Sequence, residues 1–209
     1  MAGRKSGEKD RKRLTGKDYR RMKLLEEKIL QEGEVLGEDI LKVDGFINHQ
    51  IDVALMEELG RDMAEHFRGQ GVTKVFTIES SGIAPALFTA RELGLPLVIL
   101  KKQNAKNLGT KVWQTEVVSY TKDISYQLTL AKNYISDSDH VLIVDDFLAN
   151  GEAATGAVRL IRKAHATVAG LGVLIEKAFQ PGRKKLESQG IHVYAQASIK
   201  GFQGGKVVF

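Results

Sequence analysis

The chain has 209 residues, of which 43% are apolar and 27% are charged, and its formal net charge is +5. This length allows one substantial core and is too short for two, so we predict a single folded domain. The chain contains no cysteine, which excludes disulfides and thiolate zinc sites. No stretch is typical of a secretory signal or a transmembrane helix, so we expect a cytoplasmic protein without membrane contact.

The positive charge is concentrated at the start of the chain. Residues 1–21 contain nine Lys or Arg against three Asp or Glu, whereas the remaining residues carry a net charge of −1. A strongly basic segment without apolar periodicity is typical of disorder. We therefore predict a basic disordered extension over residues 1–21 and a folded domain over residues 22–209. We expect no nucleic-acid partner beyond weak phosphate contacts made by the extension.

Helical and strand patterns alternate through the rest of the chain. Apolar runs separated by amphipathic segments are typical of parallel βαβ units with helices on both faces of the sheet. The β-branched and aromatic residues of segments 112–122 and 124–132 favour an antiparallel pair. Helices are predicted at residues 23–33, 53–71, 83–94, 151–165 and 181–190, and the other strands at 74–78, 95–102, 140–146, 168–179 and 191–199.

Three of these strands are followed by polar or charged side chains. ESSG follows the strand at 74–78, DDFLANG ends the strand at 140–146, and Glu176 and Lys177 lie near the end of the strand at 168–179. In a parallel sheet, ligands bind at the carboxyl ends of the strands. We therefore expect these groups to converge on one crevice.

The second of these groups suits a sugar phosphate. Asp145 and Asp146 offer acceptors to hydroxyl groups or a metal, and the small residues that follow lead into a helix. The first N–H groups of a helix lack intrahelical partners and favour an anion. A phosphate at residues 149–153, with the aspartates on hydroxyl groups, describes a ribose 5-phosphate. An ordinary acidic loop with a helix cap remains the alternative, whereas GxxxxGK[ST] and GxGxxG after a strand are both absent.

VLIVDDFLANGEAATG resembles the phosphoribosyl pyrophosphate motif of type I phosphoribosyltransferases, and more closely that of the bacterial members acting on xanthine. The resemblance includes LKVDGFINHQID, TIESSGIAPA, VVSYTK and IEKAFQPGR and covers residues 22–209. It implies an α/β fold, with a parallel sheet flanked by helices, a small hood, a flexible antiparallel loop and a homodimer. The implied reaction is purine salvage, in which xanthine and phosphoribosyl pyrophosphate give xanthosine 5′-monophosphate and pyrophosphate. Magnesium is expected to bind mainly through phosphoribosyl pyrophosphate.

The resemblance also implies roles for individual residues. The base would contact Leu41, Asn48 and Lys177, and the ribose would contact Asp145 and Asp146, which also face the transition state. The implied 5′-phosphate loop is Ala149, Asn150, Gly151, Glu152 and Ala153, the pyrophosphate loop is Ser80, Ser81 and Gly82, and the flexible loop includes Lys101 and Lys102.

For several of these residues the chemistry leaves alternatives open. Lys177 could donate to the carbonyl groups of an oxopurine or form a salt bridge with a neighbouring acid. Asn48 suits a purine edge or a turn, and Leu41 suits an apolar wall or the core. ESSG could bind pyrophosphate or cap a helix, and the wider family often has a strained or cis peptide there. Because a carboxylate facing the phosphate would repel it, we expect the Glu152 side chain to point outward.

Two alternative functions remain from the sequence. One is transfer to another purine, although Lys177 and the hood sequence argue against adenine. The other is a non-catalytic regulator that senses phosphoribosyl pyrophosphate and uses its basic extension on DNA. Residues 1–21 are too few for a folded DNA-binding domain, which disfavours the regulator.

Overall fold

The fold is given by a computed structural model that describes residues 16–37, 39–102, 111–119 and 124–209. The first fifteen residues of the basic extension lie outside these ranges, as do residues 103–110 of the flexible loop expected at 101–111. The helices are α1 (Gly16–Glu32), α2 (Val53–Phe67), α3 (Ile83–Leu93), α4 (Glu152–Lys163) and α5 (Gly182–Glu187). The strands are β1 (Glu34–Leu36), β2 (Ile40–Lys42), β3 (Lys74–Ile78), β4 (Leu97–Lys102), β5 (Val112–Ser119), β6 (Ile124–Ala131), β7 (His140–Leu148), β8 (Thr167–Lys177), β9 (Val193–Ile199), β10 (Gly201–Gln203) and β11 (Lys206–Val208).

A seven-stranded sheet has the order β5-β6-β4-β3-β7-β8-β9. Strands β4, β3, β7, β8 and β9 are parallel, whereas β6 runs antiparallel to β4 and pairs with β5 over eight residues. This confirms the predicted parallel sheet with an antiparallel pair. The chain passes from β3 to β4 on one side and from β7 to β8 on the other. The boundary between β3 and β7 is therefore a topological switch point, where open α/β sheets bind ligands.

Helices cover both faces of the sheet. In β3, Phe76 packs in one cluster with Leu160 of α4, whereas its neighbour Val75 packs in another cluster with Met63 and Phe67 of α2. Successive side chains of a strand point to opposite faces, so two buried neighbours require cover on both sides. This arrangement confirms the interpretation of the apolar runs.

A smaller layer lies beside one face of the sheet and forms the hood. The β1–β2 hairpin is followed by a π-helical turn at Asp44–Asn48, whose Phe46 and Ile47 are buried with Leu25 and Ile29 of α1. The C-terminal β10–β11 hairpin contributes Phe202, Val207 and Phe209 to the same cluster. These short elements were not predicted.

Helix α1 begins at Gly16, before the predicted start at residue 23. The predicted boundary after residue 21 therefore falls inside α1. Residues 16–22 include Lys, Arg and Met, which are good helix formers, but the prediction depended on apolar periodicity, which begins later. Among the described residues, no helix is both long enough and apolar enough to cross a membrane.

Candidate active site

Two cavities lie at the carboxyl ends of β3 and β7. One, of about 470 Å³, is lined by residues 147–154 together with Asp145, Lys102 and Tyr126. The other, of about 480 Å³, is lined by residues 78–81 with Asp145, Asp146 and Lys102. Asp145 and Lys102 line both cavities. The structure therefore brings the phosphate-loop, ribose and pyrophosphate-loop candidates together at the switch point.

Asp145 and Asp146 lie within β7, although the sequence analysis placed them where the strand leaves the sheet. Pairing with β3 ends at Ile143, whereas pairing with β8 continues to Leu148. The sequence pattern missed this because the apolar run ends at Val144, whereas the hydrogen bonds between β7 and β8 continue beyond that residue. The two carboxylates consequently project from a strand held on one side only.

The local environment disfavours the charged form of both aspartates. Burial is the main cause that raises the pKa of Asp145 well above its ordinary value, and the neighbouring Asp146 carboxylate adds to the effect. Burial also raises the pKa of Asp146, although hydrogen bonds from Asp145 and the Phe147 backbone oppose the shift. A ligand with hydroxyl donors or positive charge would relieve this cost.

The predicted pyrophosphate loop lies directly against Asp145. Ser80 and Ser81 line the second cavity, and the Glu79–Ser80 peptide bond is cis. Gly82 packs so closely that a Cβ there would overlap both Asp145 Oδ1 and Thr77 Oγ1. Glycine therefore allows the loop to approach the carboxylate.

Glycines also shape the predicted 5′-phosphate loop. Gly151 precedes α4 with a φ of 82°, a left-handed conformation that favours glycine. Gly182, at the start of α5, donates its N–H to the Ala149 carbonyl at 3.1 Å, and a Cβ on Gly182 would overlap that carbonyl. The loop is therefore supported by direct backbone packing against α5.

The Glu152 side chain makes an ion pair that the sequence analysis did not foresee. Its Oε1 atom accepts from Lys185 Nζ at 2.8 Å, and the side chain is only 18% exposed. Whether the carboxylate points away from a bound phosphate, as expected from the sequence, stays a prediction, and Lys185 is the partner that holds it. Lys185 lies 33 residues away in the sequence, so no local pattern indicated the contact.

Lys101 and Lys102 are the last two residues of β4, within the strand predicted at 95–102, and the rest of the expected flexible loop up to residue 110 lies outside the described residues. Glu79 accepts hydrogen bonds from Lys101 Nζ at 3.1 Å and from the Lys102 N–H at 2.5 Å. The Lys102 ammonium lies 5.5 Å from the centre of the Tyr126 ring. These contacts connect the end of β4 to the residue that begins the pyrophosphate loop.

The three base-contact candidates lie in or beside the hood, and none lines either cavity. Leu41 is 7% exposed within the hood cluster, and Asn48 is exposed at the end of the π-helical turn. Lys177 ends β8 and donates from Nζ to the Asp39 carbonyl at 2.5 Å. Burial lowers the pKa of Lys177.

Beside Lys177 there is a buried ion pair that the sequence analysis missed. Arg183 donates from Nε and Nη2 to the two carboxylate oxygens of Glu176, at 2.6 and 2.7 Å. Glu176 is only 2% exposed, and Arg183 also donates to the Val193 carbonyl at 2.8 Å. The pair fixes α5 to β8 and β9. In the sequence, only the basic residues of PGRKK indicated that a charged contact could form here.

Comparisons with known proteins agree with this architecture. Residues 49–200 match the family described as phosphoribosyl transferase domain. The chain is similar to the xanthine phosphoribosyltransferase of Agathobacter rectalis, with 59% identity covering 86% of this chain and 93% of that protein. The xanthine phosphoribosyltransferase of Streptococcus agalactiae is 50% identical over 90% of this chain and 97% of its own length.

Solved structures share the fold at lower identity. An adenine phosphoribosyltransferase from Trypanosoma brucei, in complex with AMP, pyrophosphate and ribose-5-phosphate, has a TM-score of 0.71 and 16% identity, covering 83% of this chain and 79% of its own. The enzyme from Rhodothermus marinus has a TM-score of 0.68 and 24% identity, covering 85% and 99%. The family match and the curated relatives establish that the chain belongs to the phosphoribosyltransferase family, together with the xanthine phosphoribosyltransferases that it resembles.

Proposed function

We propose that this protein is a purine salvage enzyme that transfers the phosphoribosyl group of phosphoribosyl pyrophosphate to xanthine. The observation that carries the proposal is the meeting of Asp145 and Asp146, the 149–153 loop and the ESSG loop at one switch point. These groups suit, respectively, a ribose diol, a terminal phosphate and a pyrophosphate. The choice of xanthine rests on the names of relatives that are 50–59% identical to the chain.

In this mechanism the bond between C1′ and the pyrophosphate oxygen breaks as a purine ring nitrogen bonds to C1′. Positive charge develops on the ribose while negative charge grows on the leaving group. Asp145 and Asp146 hold the ribose hydroxyls and offset the positive charge electrostatically. Backbone N–H groups and hydroxyls of Ser80 and Ser81 receive the pyrophosphate. Xanthine is acidic enough to lose its ring proton without a dedicated base, so we assign none.

Magnesium fits this site as an ion carried by the substrate. Among the described residues, no group of three or more His, Cys, Asp or Glu could hold a metal ion. Asp145 and Asp146 nevertheless offer oxygen ligands beside the pyrophosphate loop, and hard oxygen ligands suit magnesium. When bound, the ion would supply charge neutralisation to the leaving pyrophosphate. We further propose a homodimer in the cytoplasm, without a membrane or nucleic-acid partner.

The first test is turnover of xanthine, guanine, hypoxanthine and adenine with phosphoribosyl pyrophosphate and magnesium, followed by absorbance. We expect xanthine to have the highest kcat/KM, with and without residues 1–21. Preference for another base would overturn the choice of xanthine. Binding of phosphoribosyl pyrophosphate without any turnover would favour the regulator instead.

A second test concerns Lys177, which we propose as a base-contacting residue. Replacement by alanine should raise the KM for xanthine about tenfold or more, because a charged hydrogen bond to the base is lost. Affinity for phosphoribosyl pyrophosphate should change much less. Lys200→Ala, at an exposed position after β9, is the matched control. An equal loss for every purine would show that Lys177 supports only the hood, through its bond to Asp39.

A further inference from the structure

Within the described part of the chain, the Lys185 ammonium group makes two hydrogen bonds, both with the phosphate loop. Its ammonium group donates to Glu152 Oε1 at 2.8 Å and to the Asn150 carbonyl oxygen at 2.9 Å. These bonds use two of the three N–H donors of the ammonium group, and the side chain is 37% exposed. The contacts join a short helix late in the chain to the loop that receives the 5′-phosphate in the proposed function.

The contact with Glu152 offsets the electrostatic repulsion between this carboxylate and a phosphate bound in the loop. Glu152 lines the cavity that would hold the phosphate, and its side chain is only 18% exposed. Two anions close together in such a site repel each other more strongly than in bulk water. A cation bonded to the carboxylate cancels most of that repulsion. Glu152 can then begin α4, where a carboxylate interacts favourably with the helix dipole.

The second contact orients a peptide group. In a trans peptide the C=O and N–H bonds point in opposite directions. Because Lys185 holds the Asn150 carbonyl, the N–H of Gly151 must point to the other side of the same peptide. Lys185 therefore restricts the rotation of a loop N–H group before any ligand binds.

Lys185 can do this because α5 is itself fixed. Gly182 bonds to the Ala149 carbonyl, and Arg183 forms the two-pronged ion pair with Glu176 of β8. Neither contact needs a ligand. The helix therefore holds Lys185 against the loop independently of substrate.

We infer that Lys185 is a positioning residue for the 5′-phosphate, acting by neutralising Glu152 and by orienting the Asn150–Gly151 peptide. This inference rests on the proposed function, because it assigns the loop to a phosphate. Lys185 is not required to touch the phosphate itself. The part of its effect that comes from neutralisation depends on Glu152, whereas the smaller part that comes from orienting the peptide does not.

The test is a double-mutant cycle with Lys185→Met, Glu152→Gln and the double variant. Binding of ribose 5-phosphate, and of phosphoribosyl pyrophosphate with magnesium, is measured by calorimetry in the absence of a purine. We expect Lys185→Met to weaken both about tenfold, and by less than about threefold when Glu152 is already glutamine. Inorganic pyrophosphate should bind the wild-type and Lys185→Met proteins equally.

Two controls separate positioning from folding. Lys184→Met removes an exposed charge from the same helix and should leave both affinities unchanged. Lys185→Arg keeps the charge and should restore most of the affinity lost in the methionine variant. Thermal unfolding of each variant should stay close to that of the wild type, because Lys185 is partly exposed.

Three results would overturn the inference. An equal loss from Lys185→Met in both Glu152 backgrounds would mean that neutralising Glu152 contributes nothing to phosphate binding, which the inference requires. No loss in either background would mean that it does not act on the loop. If the wild-type protein binds neither ribose 5-phosphate nor phosphoribosyl pyrophosphate, the proposed function itself fails, and the inference fails with it.

Discussion

Aspartates lie at the two ends of the parallel strands, which form the amino edge and the carboxyl edge of the central sheet. Their environments at these two edges are opposite. At the amino edge, Asp139 accepts hydrogen bonds from Lys74 Nζ at 2.8 Å, Thr73 Oγ1 at 3.0 Å and the Ser136 N–H at 2.7 Å. Burial alone would raise the pKa of Asp139, but the bonds from Lys74 and Ser136 outweigh it and lower the pKa. At the carboxyl edge, burial raises the pKa of both Asp145 and Asp146.

The difference shows how one sheet separates stability from function. The carboxylate at the amino edge is satisfied within the protein, so its charge stabilises the fold. The pair at the carboxyl edge is left short of donors, so its charge costs stability until a ligand supplies them. Replacing an aspartate at the carboxyl edge should therefore lower activity and raise the free energy of unfolding. Replacing the aspartate at the amino edge should lower the free energy of unfolding and leave activity unchanged.

The largest expected effect comes from Gly82→Ala at the carboxyl edge. The added Cβ would overlap Asp145 Oδ1 and Thr77 Oγ1, so the pyrophosphate loop must move away from the carboxylate. We expect kcat/KM to fall by about 100-fold or more, since small displacements at a reacting centre have such costs. Gly201→Ala is the control, because nothing lies within 4 Å of a Cβ there. Near-normal activity of Gly82→Ala would show that the packing at this edge is not needed for turnover.

Asp145→Asn should separate the two properties at the same edge. We expect turnover to fall about 100-fold, because charge stabilisation of the ribose is lost. The thermal midpoint at pH 7 should instead rise, since the raised pKa means that the ionised carboxylate opposes folding. This gain should vanish below pH 3.8, the ordinary pKa, where wild-type Asp145 is already protonated. A lower midpoint at pH 7 would contradict the assignment.

Asp139→Asn should give the opposite and smaller result. Its lowered pKa means that the carboxylate stabilises the fold above pH 3.8, and that this contribution is lost as the pH falls through the lower folded-state pKa. We expect a loss of about 2 kcal/mol at pH 7, typical of charged hydrogen bonds, with unchanged kcat. Denaturant unfolding of Asp139→Asn and of the exposed Asp137→Asn control measures this difference. Equal stability of the two variants would mean that the amino-edge bonds contribute nothing net.

Local patterns predicted the large elements and the order in which they occur. The apolar runs of β3 and β7 follow from neighbouring residues, and the structure shows an equally local contact at the start of α2, where the Asp52 side chain accepts from the Leu55 N–H at 3.1 Å. The β1–β2 and β10–β11 hairpins, of three residues per strand, were missed because so few residues give no clear period.

The contacts around the candidate site were harder to foresee. The Lys185–Glu152 pair joins residues that only the crossover through β8 brings together, and the Lys177–Asp39 contact spans 138 residues. Sequence spacing carries no information about such pairs. Motif resemblance placed candidate residues at this edge without indicating which partners would hold them, and their roles stay predictions.

The short helix α5 also constrains how the chain can vary in length. Its contacts with Ala149, Glu176 and Glu152 all depend on the four residues that separate β8 from α5. An inserted or deleted residue there would shift all three contacts together. The β1–β2 turn has fewer contacts to lose among the described residues: Gly37, at a φ of 65°, has open space around it, and Lys177 Nζ bonds to the Asp39 carbonyl at the other end of the turn. Insertions beside Gly37, at the tip of the hood, should therefore be tolerated, whereas insertions in the turn at 178–181 should destabilise the loop that α5 supports.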